Sequence, residues 1–108
     1  MYKVENGNIY ITRGDTAAFT LNIDGYTAAE GDTLTFSVKK NCNDAQALIT
    51  KDIDPTDKTF TVEHEDTATL DFGDYFYDVQ LRREDGTEVT YDTVIIPHTF
   101  TVGAEVTW

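Results

Sequence analysis

Arg13-Gly14-Asp15, the aspartates Asp52, Asp54 and Asp57, two histidines and one cysteine are the residues of this chain whose types could do chemistry. Arg-Gly-Asp is the tripeptide that integrins read, with the aspartate on a bound metal and the arginine in an acidic pocket. That use needs an exposed, flexible loop. Here the triplet opens an alternating apolar run, and Glu30-Gly31-Asp32-Thr33 repeats the turn without the arginine. A strand-entry turn, with glycine supplying positive φ and aspartate a local acceptor, explains both copies and is preferred to a short-motif match. Asp52-Ile53-Asp54-Pro55-Thr56-Asp57 places three carboxylates within six residues. Calcium takes six to eight oxygens, and an EF-hand loop counted from Asp52 needs Gly at its sixth place and Glu at its twelfth. Asp57 and Glu63 stand there instead, and Phe60 and Val62 mark the stretch before Glu63 as strand. The expectation is a solvated acidic turn, with calcium binding as its alternative.

His64 lies between Glu63 and Glu65, and His98 beside Thr99. Neither has a second His or Cys at zinc-ligand spacing. Cys42 sits in the polar loop Asn41-Cys42-Asn43-Asp44 without the flanking signature of a thiol enzyme. A carboxylate pair at glycosidase separation must arise by chance in so acidic a chain, so it carries no weight. These residues predict no catalytic site, no resident metal and no cofactor, and the chain is read as a non-enzyme.

The elements that must position these residues are strands. Gly14-Asp15-Thr16-Ala17-Ala18-Phe19-Thr20-Leu21-Asn22-Ile23 is echoed seventeen positions later by Gly31-Asp32-Thr33-Leu34-Thr35-Phe36-Ser37-Val38-Lys39-Lys40, each a turn followed by apolar residues at every second place. Ile9 and Ile11 predict a first strand, Phe19, Leu21 and Ile23 a second, and Leu34, Phe36 and Val38 a third. Residues 45–53 read either as a strand through Leu48 and Ile49 or as a helical turn. Asp54-Pro55-Thr56-Asp57 is a turn, and Phe60 and Val62 make the next strand. Asp66 to Leu70 reads as a brief helical turn capped by Asp66 or Thr67. Tyr75, Tyr77, Val79 and Leu81 then face one way, with Phe76, Asp78, Gln80 and Arg82 opposite. Glu84-Asp85-Gly86 closes a hairpin. The returning strand carries Val89, Tyr91, Thr93 and Ile95 on one face until Pro97 breaks it, and a last strand runs from Phe100 and Val102 to Val106 and Trp108. Seven or eight short strands without a sustained helical period predict one domain over residues 1–108, an all-β, two-layer antiparallel sandwich of immunoglobulin-like topology.

The chain has 108 residues, 20 acidic against 8 basic, and a net charge of -12. That balance repels phosphates and anionic lipid, so nucleic-acid and membrane partners are not expected. Hydrophobic content of 40% is enough for a core. A single cysteine excludes an internal disulfide. No apolar run approaches the roughly 18 residues of a membrane span, and Met1 to Gly7 is no signal peptide, so synthesis in the cytoplasm is expected.

Ile11-Thr12-Arg13-Gly14-Asp15-Thr16, Gly31-Asp32-Thr33-Leu34-Thr35-Phe36, Gly73-Asp74-Tyr75-Phe76-Tyr77-Asp78-Val79-Gln80-Leu81, the Gly86 hairpin and Phe100-Thr101-Val102 together resemble the N-terminal domain of phage baseplate upper proteins and related small tail proteins from phages and prophages of Gram-positive bacteria. The resemblance spans nearly the whole chain. It implies a non-catalytic structural module of a virion, made in the host cytoplasm, with other tail proteins or further copies of itself as partners. It supplies no catalytic residues. Baseplate upper proteins continue into a helical or receptor-binding region where this chain stops at Trp108, so it implies either a stand-alone small protein or a piece of a longer one. Phe76, Tyr91 and Trp108 are the aromatics expected to form a contact patch. The alternative is a sandwich that binds cell-surface carbohydrate, with or without calcium, on exposed Tyr or Trp.

Overall fold

Alternating apolar side chains become strands with one dry face. The computed structural model describes residues 2–23 and 25–104. Its strands are β1 (Tyr2–Glu5), β2 (Asn8–Thr12), β3 (Ala17–Thr20), β4 (Asp32–Lys39), β5 (Ile49–Ile53), β6 (Thr59–Val62), β7 (Gly73–Asp85) and β8 (Glu88–Gly103), with one short helix, α1 (His64–Ala68), between β6 and β7. One sheet runs in the order β1-β2-β8-β7-β4-β5, and β3 pairs with β6 in a second. The result is the expected two-layer all-β sandwich, with eight strands among the described residues.

The layers are six strands against two, which departs from the near-equal sheets of an immunoglobulin domain. The larger sheet is also mixed rather than purely antiparallel. β2 runs parallel to β8, with Ile9 opposite Phe100 and Thr12 opposite Gly103. Tight hairpins force antiparallel neighbours, but β2 and β8 lie far apart in sequence and are free of that constraint. Polar corners carry the chain from the large sheet to the small one: residues 13–16 take β2 to β3, and residues 54–58 take β5 to β6.

The core fills the space between the layers. Phe36 of β4, fully buried, packs on Phe60 of the small sheet with ring centroids 4.5 Å apart, on Tyr77 at 5.2 Å and on Phe100 at 6.0 Å. Phe19 stacks on Phe60 at 5.2 Å, continuing the β3–β6 register, and Tyr2 meets Phe19 edge-on at 4.7 Å. Leu34, Val38, Val62, Val79 and Val102 complete the dry interior. Each such side chain contributes about 1.5–3 kcal/mol of apolar burial. The aromatics placed inward from the sequence, Phe19, Phe36, Phe60, Tyr75 and Tyr77, are all buried.

Several local expectations are corrected. β1 precedes the first expected strand, joined to β2 through Asn6 and Gly7, both at positive φ, the backbone that two-residue hairpin turns require. The second strand ends at Thr20, although Ile23 is still buried beyond it. Residues 49–53 are strand, with Ile49 buried and Leu48 exposed. Glu63, not Asp66 or Thr67, is the N-cap of α1; the Asp66 carboxylate reaches back from the first turn to accept the Glu63 N–H at 2.7 Å, one half of a capping box.

Pro97 does not end a strand. β8 passes through it because two register shifts put extra residues into β8, between the pairs Tyr77–His98 and Val79–Ile95 and between Val79–Ile95 and Gln80–Thr93. Proline, lacking an N–H, is accommodated at such bulges. The second of these bulges reverses the alternation between Thr93 and Ile95, so Ile95 packs toward the core while Tyr91 points to the other face. The segment of the expected last strand from Glu105 to Trp108 lies outside the described residues, as does Asp24.

Candidate functional site

The Arg13-Gly14-Asp15 turn is clamped to α1. Gly14 takes a φ of 84° that other residues resist, and its N–H donates to the Thr67 hydroxyl at 2.8 Å. Thr67 is itself fully buried. The Gly14 carbonyl accepts from Nδ1 of His64 at 2.6 Å, which fixes a proton on that nitrogen because a carbonyl can only accept. Arg13 donates through its backbone to Gly103 at 3.0 Å and lies 4.3 Å over the Phe72 ring. This is a fastened corner between sheets, the geometry of the strand-entry reading.

The acidic turn is built in a similar way. Oδ1 of Asp54 accepts from the N–H groups of Thr56 at 2.8 Å and Asp57 at 3.3 Å, and the Asp54 carbonyl accepts from Lys58 at 2.6 Å. Asp52 stands outside this turn, on β5 opposite Thr35. Among the described residues no group of three His, Cys, Asp or Glu side chains is arranged to hold a metal ion.

His98 stacks on Tyr77 at 5.9 Å and donates from Nδ1 to the Ile96 carbonyl at 2.6 Å. The Tyr77 hydroxyl donates to the Gly7 carbonyl, and the Asn8 side chain accepts from Thr99 N–H at 3.1 Å. These contacts dock the β1–β2 turn onto the large sheet, and burial pushes the Tyr77 phenol up from its usual pKa. Cys42 is exposed beside a small hollow of about 110 Å³ lined also by Ser37, Lys39, Phe76, Asp78 and Pro97.

Phe76, Tyr91 and Trp108 do not form one patch among the described residues. Phe76 is half-buried in that hollow, opposite Thr99, while Tyr91 is opposite Arg82, six residues further along β7. A strand rise of about 3.3 Å per residue separates them by roughly 20 Å. Trp108 lies outside the described residues.

The structure instead points to the outer half of the β7–β8 hairpin. β4 leaves β7 at the pair Asp32–Arg83, and β2 meets β8 only from Phe100 to Gly103. Past Arg83 the hairpin is an arm running from Glu84 to Val89, with Val89 41% exposed, and just inside its root Tyr91, opposite Arg82, is 64% exposed. β7, thirteen residues long, spans roughly 43 Å at the usual rise, and only its last two residues, Glu84 and Asp85, extend past the pairing with β4.

The base of the arm is fastened by a buried carboxylate. Asp32, with its side chain fully buried, accepts from Nε of Arg83 at 2.7 Å, Nη2 of Arg83 at 2.9 Å, the Tyr26 hydroxyl at 2.8 Å and the Ala29 N–H at 3.0 Å. Hydrogen bonding from Arg83, aided by Tyr26 and Ala29, holds the Asp32 carboxyl far below the usual carboxylate range despite its burial. Burial, the Asp32 hydrogen bond and its charge push the Tyr26 phenol up to about 12. Neither the clamp nor the arm was anticipated from the sequence. The signal for the arm was the long run of alternation on both sides of Asp85-Gly86; Asp32 and Arg83 carry no local sign of being partners.

The fold and this surface define an all-β sandwich with a projecting hairpin. No protein-family model matches the chain, and no curated protein matches it.

Proposed function

We propose that the chain is a non-catalytic docking module, a structural component of a phage or prophage tail or baseplate that acts by protein–protein contact. The observation that carries the docking reading is the outer half of the β7–β8 hairpin, which presents Val89 on the arm and Tyr91 at its root to solvent. Aromatic and branched side chains on a projecting element are a common currency of protein contacts. The side chains with chemical potential are given over to architecture: Thr67 and His64 hold Gly14, Asp54 closes a corner, and Asp32 binds Arg83. A net charge of -12 keeps free subunits apart before assembly. The placement in a phage particle rests on the family resemblance of the strand entries and the Gly73 to Leu81 strand.

The test is co-sedimentation of the purified chain with the products of its neighbouring genes, assayed one by one. A stoichiometric complex with a tail or baseplate protein, weakened when Tyr91 is changed to Ser, is the expected result. Binding to none of them, or signal on a glycan array abolished by the same change, overturns it.

A further inference from the structure

We infer that the outer edge of β8, from Glu88 to Thr93, is a strand-addition site that accepts an extended segment of a separate chain with alternating basic and apolar side chains. This deepens the docking reading above and rests on it.

Among the described residues, β7 covers one edge of β8, and no strand covers the other before β2 arrives at Phe100. An uncovered strand edge is a row of backbone donors and acceptors ready to pair. Part of this edge is blunted. The bulges around Val94 and Ile96 and the missing N–H of Pro97 spoil regular pairing from residue 94 to residue 97. Glu88 to Thr93 escapes this: its pairs with β7 run without interruption from Thr93–Gln80 to Glu88–Asp85. The other edges of the large sheet are shorter, four residues in β1 and five in β5.

The side chains select the occupant. On one face Asp85 and Glu88 stand directly opposite one another, and Asp92 follows on that same face. Like charges directly across a ladder repel, and a cation laid beside them relieves the repulsion. Arg83, opposite Thr90 on this face, is drawn away by its two bonds to Asp32. The other face offers Val89 and Tyr91. An incoming strand therefore places Lys or Arg at every second position beside Glu88 and Asp92, and apolar residues beside Val89 and Tyr91. A second copy fits less well. Its own charge is -12, and antiparallel self-pairing centred on Thr90 sets Glu88 against Asp92 twice.

The probe is the blocked peptide Lys-Val-Arg-Val-Lys-Val, titrated at low salt with amide hydrogen exchange read by residue. Exchange in Glu88 to Thr93 is expected to slow by tenfold or more at saturation, with β1 and β5 unchanged. Raising salt to 0.5 M weakens binding, and Glu-Val-Glu-Val-Glu-Val gives no protection. The doubly reversed variant Glu88→Lys, Asp92→Lys loses about tenfold or more in affinity for the basic peptide and gains affinity for the acidic one; because it also removes the Asp85–Glu88 repulsion, folding is preserved. Of Thr90→Pro and Tyr91→Pro, one replaces an N–H that points away from β7, and that variant folds and loses binding. No protection at millimolar peptide, protection confined to another edge, or unchanged affinity in the charge-reversed variant overturns the inference. A chain that co-sediments with a neighbouring gene product without protection at Glu88 to Thr93 refutes the strand-addition site and leaves the docking reading standing. A chain that binds no such product refutes the docking reading itself.

Discussion

Replacing Thr67 by Val tests whether the Arg13-Gly14-Asp15 turn is an architectural corner. The substitution keeps the shape of the side chain and removes the one oxygen that accepts the Gly14 N–H at 2.8 Å. A donor left without a partner away from water costs about 1–3 kcal/mol. Gly14 is only partly buried, so water recovers some of that, and the lower half of the range, about 1–2 kcal/mol, applies. For a domain of this size each kcal/mol moves the melting temperature by about 4–8 °C, so Thr67→Val should melt roughly 5–15 °C below the parent. Thr67→Ser separates the hydroxyl from the packing. It retains the acceptor but gives up a buried methyl group, costing about 1 kcal/mol. Melting alone does not tell the two variants apart, but the Gly14 amide does. Its hydrogen exchange should accelerate in Thr67→Val and stay slow in Thr67→Ser. A valine variant that melts within 2 °C of the parent, or one that loses stability with Gly14 still protected, refutes the argument.

Two further perturbations follow from the same geometry. The Asp32 carboxyl has its pKa depressed by folding, so its stabilisation is complete above the unfolded value of about 3.9 and fades as pH falls below it; the gap in melting temperature between the parent and Asp32→Asn should be widest near pH 7 and narrow progressively as pH is lowered below about 4, and a gap of constant width would show that the charge is not responsible. Tyr26, raised to about 12, contributes with the opposite sign: the parent should lose stability relative to Tyr26→Phe as pH climbs from 10 toward 12. At Gly7 an added Cβ would lie 2.6 Å from the His98 ring on a backbone of φ 83°, whereas at Gly86, with φ 61°, it meets open space. Gly86→Ala should therefore cost only the left-handed backbone penalty, about 1–2 kcal/mol, and Gly7→Ala clearly more, as read by urea denaturation of the two variants side by side.

The repeated Gly-Asp phrase shows what a sequence discloses and what it withholds. Both copies announce a turn and a strand, and both make one. Yet Asp15 contributes its N–H to the Thr12 carbonyl at 3.1 Å, while Asp32 becomes the buried centre of an ion pair with Arg83, 51 positions away. Identical local words acquire different roles because their partners are chosen by topology. β4 and β7 were legible for the opposite reason: their alternation is unbroken, and a half-buried strand needs nothing else to fix which side chains turn inward. β8 begins with the same alternation, but one extra residue between Thr93 and Ile95 shifts its phase, so Tyr91 and Ile95 part company. The first hairpin carried its signal openly in Asn6-Gly7, set between Tyr2-Lys3-Val4-Glu5 and Asn8-Ile9-Tyr10-Ile11. Of the expected contact residues, Phe76 lies on the face opposite Tyr75 and Tyr77 as its alternation implies, whereas the facing of Tyr91 depends on the β8 bulge. Their separation along β7 depended on strand pairing that spacing does not reveal.

The arm raises a physical question, because a two-stranded ribbon is marginal in water by itself. Past the pair Asp32–Arg83, the strands from Glu84 to Glu88 have no neighbour in the sheet among the described residues. What holds them out is the rigidity of their root. Arg83 is gripped twice by Asp32 and bonded through Nη2 to the Thr27 carbonyl at 3.3 Å, and the next residue, Glu84, donates its N–H to Gly31 at 3.1 Å. The residue pair that ends the packed sheet is thus the one most firmly bound. A frayed ribbon would lose conformational entropy on meeting a partner, whereas a ribbon fixed at its base has less to lose. The same fastening that stabilises the fold through Asp32 also fixes the direction in which the hairpin leaves the sheet. It is consistent with an element whose use lies in staying extended, and Asp32→Asn should then weaken contacts made by the arm even at temperatures where the sandwich remains folded.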